Sequence, residues 1–328
     1  MKMLPYSKQH IDDDDIAAVT AVLRSDWLTT GPTVQAFEKA VAEKLNVRFA
    51  ISCSSGTAGL HMAAMALRLG PGDVVVVPTI TFLATANGAA LTGADVVFAD
   101  VDPQTGLMTP KTLEAAIERG AKLGRVRAAF PVHMTGQSCD MQALAAVARK
   151  HNIVLIEDAA HAMGASVDLP NGKSVRVGSC PYSLGAVLSF HPVKTITSGE
   201  GGMVLTNDPE FAEALRNAGN SGMTRDPSSF RNHGMAFQDD GCPNPWHYEM
   251  HHLGTNYRLS DIHAALCLSQ LDKLEAFVGQ RRMLADVYAR EMPAGPVDVR
   301  TAGLWYRNAG SLYSGPQAAL LYGSLRVY

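Results

Sequence analysis

The sequence predicts an α/β fold built on a largely parallel sheet. From residue 12 to about 225, segments with helical apolar spacing alternate with short apolar runs, the pattern of helices layered on a sheet. Val74-Val-Val-Val-Pro78 is apolar throughout, as expected of a strand covered on both faces. The polar residues best suited to chemistry follow such runs, and open parallel sheets bind ligands at the carboxyl ends of their strands.

In chain order, helical spacing over Asp12–Ser25 and Thr33–Leu45 precedes a strand at Phe49-Ala-Ile-Ser52. Ser54-Ser-Gly-Thr57 then opens a helix over Ala58–Leu69. Strands are expected at 74–78, Asp95–Asp100, Arg127–Val132 and Ile153–Glu157, with helices over Thr112–Arg119 and Met141–His151. Ala186–Phe190 and Gly202–Thr206 are further strand candidates, able to pair with each other. Arg225 to Glu249 carries Pro, Ser, Asn, Gly and Asp with little periodicity and reads as an extended loop. One long helix is expected from Ser260 to about Glu291. This divides the chain into a large domain, residues 1–270, and a connecting helix with a C-terminal segment, residues 271–328. No internal repeat occurs. Residues 301–328 contain no Asp, Glu or Lys, an abrupt shift in composition.

With 328 residues, the chain can bury an ample core. A formal net charge of −3 argues against nucleic acid or an anionic membrane as the main partner. The start lacks an apolar signal core, and no run of about 18 apolar residues occurs; a cytoplasmic protein is expected. Five cysteines, widely scattered, read as reduced, buried thiols. Only the adjacent His251-His252 pair looks like metal ligands, and adjacent residues cannot share a helix face, so no metal site is expected.

The most informative stretch is Ser189-Phe-His-Pro-Val-Lys194-Thr-Ile-Thr-Ser-Gly-Glu-Gly-Gly202. No Asp, Glu, Lys or Arg lies within five residues of Lys194 on either side. Desolvation disfavours an ammonium, so such a lysine can act as a nucleophilic amine; the plain alternative is a loop lysine. Ser55-Gly56-Thr57, between strand and helix, offers backbone N–H groups to a phosphate, or is simply a capped helix start. Asp158 ends a strand and suits an ion pair with a protonated ring nitrogen, or a helix cap. His161 lies three residues later, placed to hold that carboxylate or a cofactor oxygen. Phe82 follows a buried strand, where an aromatic ring can stack on a planar cofactor or fill the core. The hydroxyl of Ser189 could donate to a phosphate, and Asn256 sits in a glycine-containing turn. An amine, a carboxylate, a phosphate cup and a stacking aromatic together make the set that a pyridoxal-phosphate enzyme requires.

With these residues in place, the chain from about Tyr6 to Met292 resembles the DegT/DnrJ/StrS-type sugar aminotransferases, a branch of the fold-type I pyridoxal-phosphate enzymes. It looks most similar to those of pseudaminic-acid synthesis. The segments that carry the resemblance are Pro5-Tyr-Ser, Ser25-Asp-Trp-Leu-Thr-Thr-Gly31, Pro78 to Asn87, Glu157-Asp-Ala-Ala-His161, Ser189 to Gly202 and Gly254-Thr-Asn-Tyr-Arg-Leu-Ser-Asp-Ile262. The resemblance implies that Lys194 bonds covalently to pyridoxal 5'-phosphate, Asp158 pairs with its ring nitrogen, Phe82 stacks on the ring and His161 sits near the phenolic oxygen. Gly56, Thr57 and Ser189 would hold the phosphate, joined by Asn256 from the second subunit of a homodimer. Tyr6 and Asp26-Trp27-Leu28-Thr29 match positions that contact the nucleotide-sugar. The implied reaction moves an amino group, with glutamate as donor, to a UDP-linked 4-keto-6-deoxy-N-acetylhexosamine. Another nucleotide keto-sugar is the alternative within the class, and an inactive cofactor-binding or partner-binding remnant the alternative outside it. Two departures stand out. Arg300 to Tyr328 lacks the family's small-domain segments, as though truncated or frameshifted, and Ser221 stands where the family often has histidine.

Overall fold

In the computed structural model, residues 8–169 and 171–291 are described. Tyr6 and residues 292–328, which include the unusual tail, lie outside them. The helices are α1 (Asp13–Leu23), α2 (Pro32–Leu45), α3 (Gly56–Ala66), α4 (Leu83–Ala90), α5 (Pro110–Gly120), α6 (Met141–His151), α7 (Pro209–Gly219), α8 (His233–Ala236), α9 (Asp261–Asp272) and α10 (Leu274–Glu291). The strands are β1 (Phe49–Cys53), β2 (Asp73–Pro78), β3 (Asp95–Ala99), β4 (Arg125–Ala129), β5 (Val154–Asp158), β6 (Ser166–Asp168), β7 (Ser174–Arg176), β8 (Gly185–Ser189), β9 (Gly202–Thr206), β10 (Met223–Thr224) and β11 (Glu249–Met250).

Seven strands form the central sheet in the order β1-β9-β8-β5-β4-β2-β3. β9 is antiparallel to both neighbours, and the other pairings are parallel. The expected α/β architecture is therefore present, and the two strands flanking the lysine loop do pair. β6 and β7 form a separate hairpin.

The valine run of β2 shows why the sheet is covered on both sides. Val75 and Val77 pack with Leu60 of α3, Ala84 of α4 and Phe211 of α7. Val74 and Val76 pack with Leu113 of α5 and Leu144 of α6. Alternate residues of one strand thus feed opposite layers. A third cluster joins Phe37 and Val41 of α2 to Leu188, Met203, Ala264 and Leu271. Local chemistry sets the helix limits: Asp12 caps α1 in a reciprocal box with Asp15, and Thr109 and Thr112 do the same for α5.

Three expectations need correction. The long helical pattern from Ser260 is two helices, α9 and α10, interrupted at Lys273. The ammonium of Lys273 is engaged by Asp12 and by Asp15, the latter at 3.0 Å, so the break faces the start of α1. The stretch from Arg225 to Glu249 is not wholly irregular: it contains a 3-10 turn at Pro227–Ser229 and α8, and β10 pairs with β11 to close it. Cys242 is exposed, whereas the other four cysteines are buried; all five are free thiols. Among the described residues no helix is long and apolar enough to cross a membrane. His251 bonds to Glu249, and no group of three or more potential metal ligands occurs there.

Candidate active site

The carboxyl ends of β1, β2, β5 and β8 converge on one edge of the sheet. Register places Cys53 of β1 opposite Gly202, and Gly202 opposite Ser189 of β8. The turn that follows β1 therefore meets the end of β8. A Cβ on Gly56 would lie 2.9 Å from the Ser189 Cβ, and one on Gly202 would lie 2.4 Å from the Ser55 carbonyl. Only glycine lets these three strand ends close so tightly. Gly56 and Thr57 occupy the first turn of α3, with Ser55 as N-cap accepting from the Ala58 N–H. Their own N–H groups precede the first intrahelical acceptors. The His191 N–H approaches the Ser189 oxygen at 3.4 Å.

Asp158 ends β5 and is 5% exposed. Its Oδ2 accepts the Thr85 hydroxyl at 2.7 Å, and Oδ1 accepts the Ala160 N–H at 3.2 Å. Glu157, one residue earlier, faces the opposite way, as the alternation of a strand requires. It meets His133 at 2.6 Å and accepts from Ser183 at 2.5 Å.

Lys194 lies in the loop between β8 and β9, its N–H donating to the His191 carbonyl. Burial lowers its ammonium pKa from 10.5 to about 8, against the charge of Asp158, which acts to raise it. His161 is lowered to about 3, first by burial and then by the charge of Lys194. The charge of Asp158 is thus felt at Lys194, and that of Lys194 at His161. His161 Nδ1 accepts the backbone N–H of Thr135 at 3.2 Å. The neutral ring therefore carries its proton on Nε2.

Phe82 is the N-cap of α4 and is 61% exposed at the same edge. Asp26, Trp27, Leu28 and Thr29 form an exposed segment between α1 and α2, and none makes a hydrogen bond to the Lys194 group. Asn256 is exposed too: its backbone bridges to Asn220, and its side chain makes no hydrogen bond among the described residues. The neighbouring Tyr257 carbonyl accepts the Ser54 N–H at 2.7 Å, tying this segment to the α3 turn.

Four residues with no role assigned from the sequence shape the site. Thr85 holds Asp158. Thr135 holds His161 from a left-handed conformation, φ 58°. Asp261 accepts the N–H groups of Gly31, Thr33 and Val34 at 2.9, 3.3 and 3.0 Å. It thereby caps α2 and fixes the end of the exposed 26–29 segment, whose Thr29 carbonyl accepts the Asp261 N–H. Arg281 of α10 donates to the carbonyls of Lys194 and Thr195 at 3.2 and 3.4 Å. Their partners lie up to 230 residues away, so no local pattern marks them.

The model of the DegT/DnrJ/EryC1/StrS aminotransferase family matches residues 9–305. Among solved structures, the chain is similar to Helicobacter pylori PseC, described as an aminotransferase involved in the biosynthesis of pseudoaminic acid. The identity is 30%, with 90% of this chain and 72% of that chain covered and a TM-score of 0.76. It is similar to a DegT DnrJ EryC1 StrS aminotransferase from Brucella abortus at 33% identity, covering 86% and 72%, with a TM-score of 0.71. Spr1654 of Streptococcus pneumoniae, solved in its PLP form, matches at 26% identity, covering 87% and 70%, with a TM-score of 0.74.

Proposed function

Because this chain belongs to the DegT/DnrJ/EryC1/StrS aminotransferase family, we propose that it aminates the C4 ketone of a UDP-linked 4-keto-6-deoxy-N-acetylhexosamine, with glutamate as donor. The family and the matched structures make it a pyridoxal-phosphate-dependent sugar aminotransferase. The likeness to Helicobacter pylori PseC supports the finer reading of the sugar.

The observation that carries the mechanism is the Lys194 amine, held at a pKa of about 8 beside Asp158 and His161. These residues fit the cofactor: a desolvated amine, a buried carboxylate, a neutral imidazole N–H and an open helix start stand at one edge of the sheet. Pyridoxal phosphate, when bound, supplies the carbonyl that takes up the donor's amino group and a ring that stores the electron pair released as the C–H bond breaks. Lys194 would hold the cofactor and then, as a free amine, carry the proton between donor carbon and product carbon. Asp158 would keep the ring nitrogen protonated. The Nε2–H of His161 would face the phenolic oxygen, and Phe82 would cover the ring. The N–H groups of Gly56 and Thr57, with the Ser189 hydroxyl, would bind the phosphate at the positive end of α3. Asp26 to Thr29 would form one wall for the nucleotide-sugar. The exposed, unengaged Asn256 side chain supports a role in the site of a second copy within a homodimer.

The test is direct product analysis. The protein, pyridoxal phosphate, glutamate and the UDP-4-keto sugar are combined and followed by NMR. A proton at an amine-bearing C4, with 2-oxoglutarate in equal amount, is the expected result. Amination of other nucleotide keto-sugars only would refute the substrate assignment and leave the family in place.

A further inference from the structure

Asp158 is not held by the backbone alone. The Thr85 hydroxyl donates to its Oδ2 at 2.7 Å, and Thr81 Oγ1 lies 2.6 Å from Thr85 Oγ1. Thr85 is fully buried and Thr81 half-buried. An ionised carboxylate only accepts, so the single O–H of Thr85 is committed to Asp158. Thr85 must then accept from Thr81, which fixes the direction of the whole chain: Thr81 to Thr85 to Asp158. Both threonines belong to the turn that sets Phe82 at the N-cap of α4, with the Thr85 N–H bonded to the Phe82 carbonyl. The stacking aromatic and the hydroxyls behind the carboxylate are thus placed by one short segment.

We propose that Thr85, oriented by Thr81, is a positioning residue that keeps the proton of the cofactor's ring nitrogen on nitrogen rather than on Asp158. This rests on the reading of Asp158 as the ring-nitrogen partner. A hydrogen bond donated to Oδ2 draws electron density from the carboxylate and fixes its rotamer, so the other oxygen is presented to the ring as a weaker proton acceptor. Without that donor the buried carboxylate competes better for the proton, and the ring loses capacity to store charge. No water can take the place of a hydroxyl in a fully buried position without room for it.

The experiment uses the whole protein reconstituted with pyridoxal phosphate labelled with nitrogen-15 in the ring. It compares wild type, Thr85→Val and Thr85→Ser by ring-nitrogen chemical shift and by cofactor dissociation constant. Wild type and Thr85→Ser should both show a protonated ring nitrogen. Thr85→Val should move toward the unprotonated pyridine signal and bind the cofactor about tenfold more weakly. A Thr85→Val signal and affinity equal to wild type would overturn the inference. An unprotonated nitrogen already in wild type would overturn the Asp158 assignment and this inference with it. Should Thr85→Val fail to fold, Thr81→Val reads the same relay, with a smaller shift in the same direction and about threefold weaker binding; no shift there overturns it equally.

Discussion

Thr135 donates its backbone N–H to Nδ1 of His161 from a left-handed conformation that a threonine adopts only at a cost. The strained turn thus selects the tautomer of a residue 26 positions later. Because burial and the Lys194 charge hold the ring near a pKa of about 3, it stays neutral through the physiological range. Histidine nitrogen-15 NMR should show His161 protonated on Nε2 alone from pH 5 to 8. A signal titrating near the ordinary 6.5 would contradict this.

Lys194 makes stability depend on pH in a defined window. Its folded pKa of about 8 lies below the ordinary 10.5, so between those values the unfolded chain binds more protons, and stability rises with pH. Below about 8 the cofactor-free protein bears the full cost of an ammonium in a desolvated loop. Lys194→Met removes that cost. In cofactor-free protein this variant should melt above wild type at pH 7, with the gap closing as the pH approaches 10.5. A variant that melts lower at pH 7 would show that the charged amine is well accommodated.

Asp261 accepts three N–H groups at the start of α2 from a fully buried position. Asp261→Ala leaves those donors without partners and should cost about 2–4 kcal/mol in urea unfolding. The same change frees the end of the 26–29 segment. KM for the nucleotide-sugar should rise while the cofactor dissociation constant stays near the wild-type value.

Glu249 anchors the excursion between β10 and β11. The Asn232 N–H, His251 and the Arg231 N–H lower its pKa to about 2, with His247 adding to them. A depressed carboxylate contributes stability that is complete above its ordinary 4.5 and is lost as pH falls toward 2. Glu249→Gln should flatten the pH dependence of stability between those values and open residues 225–250 to limited proteolysis at pH 7. Equal cleavage rates for variant and wild type would show that the excursion is held by other contacts.

The strands were legible because their signals are local, and the candidate site residues drew notice by their place at strand ends. Val74 to Val77 are apolar in succession because each face of β2 meets a helix layer. Lys194 stood out because no charged residue lies within five positions of it on either side. Lys273 was not legible as a break, since apolar spacing continues across it and its ion-pair partners, Asp12 and Asp15, stand at the far end of the sequence. Thr85, Thr135 and Asp261 escaped for the same reason. A threonine or aspartate near a helix start usually caps its own helix, and nothing nearby says that Thr85 and Asp261 serve partners 73 and 230 residues away. The 26–29 segment was recognised by resemblance alone, and its anchoring came from the fold.

If Lys194 holds the cofactor, as proposed, chemical trapping will find the cofactor on that side chain. The protein is incubated with pyridoxal phosphate, reduced with borohydride to make the linkage permanent, digested and sequenced by mass spectrometry. The pyridoxyl-phosphate mass increment should appear on the peptide carrying Lys194, with no other lysine labelled in comparable yield. Labelling of a different lysine, or none, would rule out Lys194 as the residue that holds the cofactor.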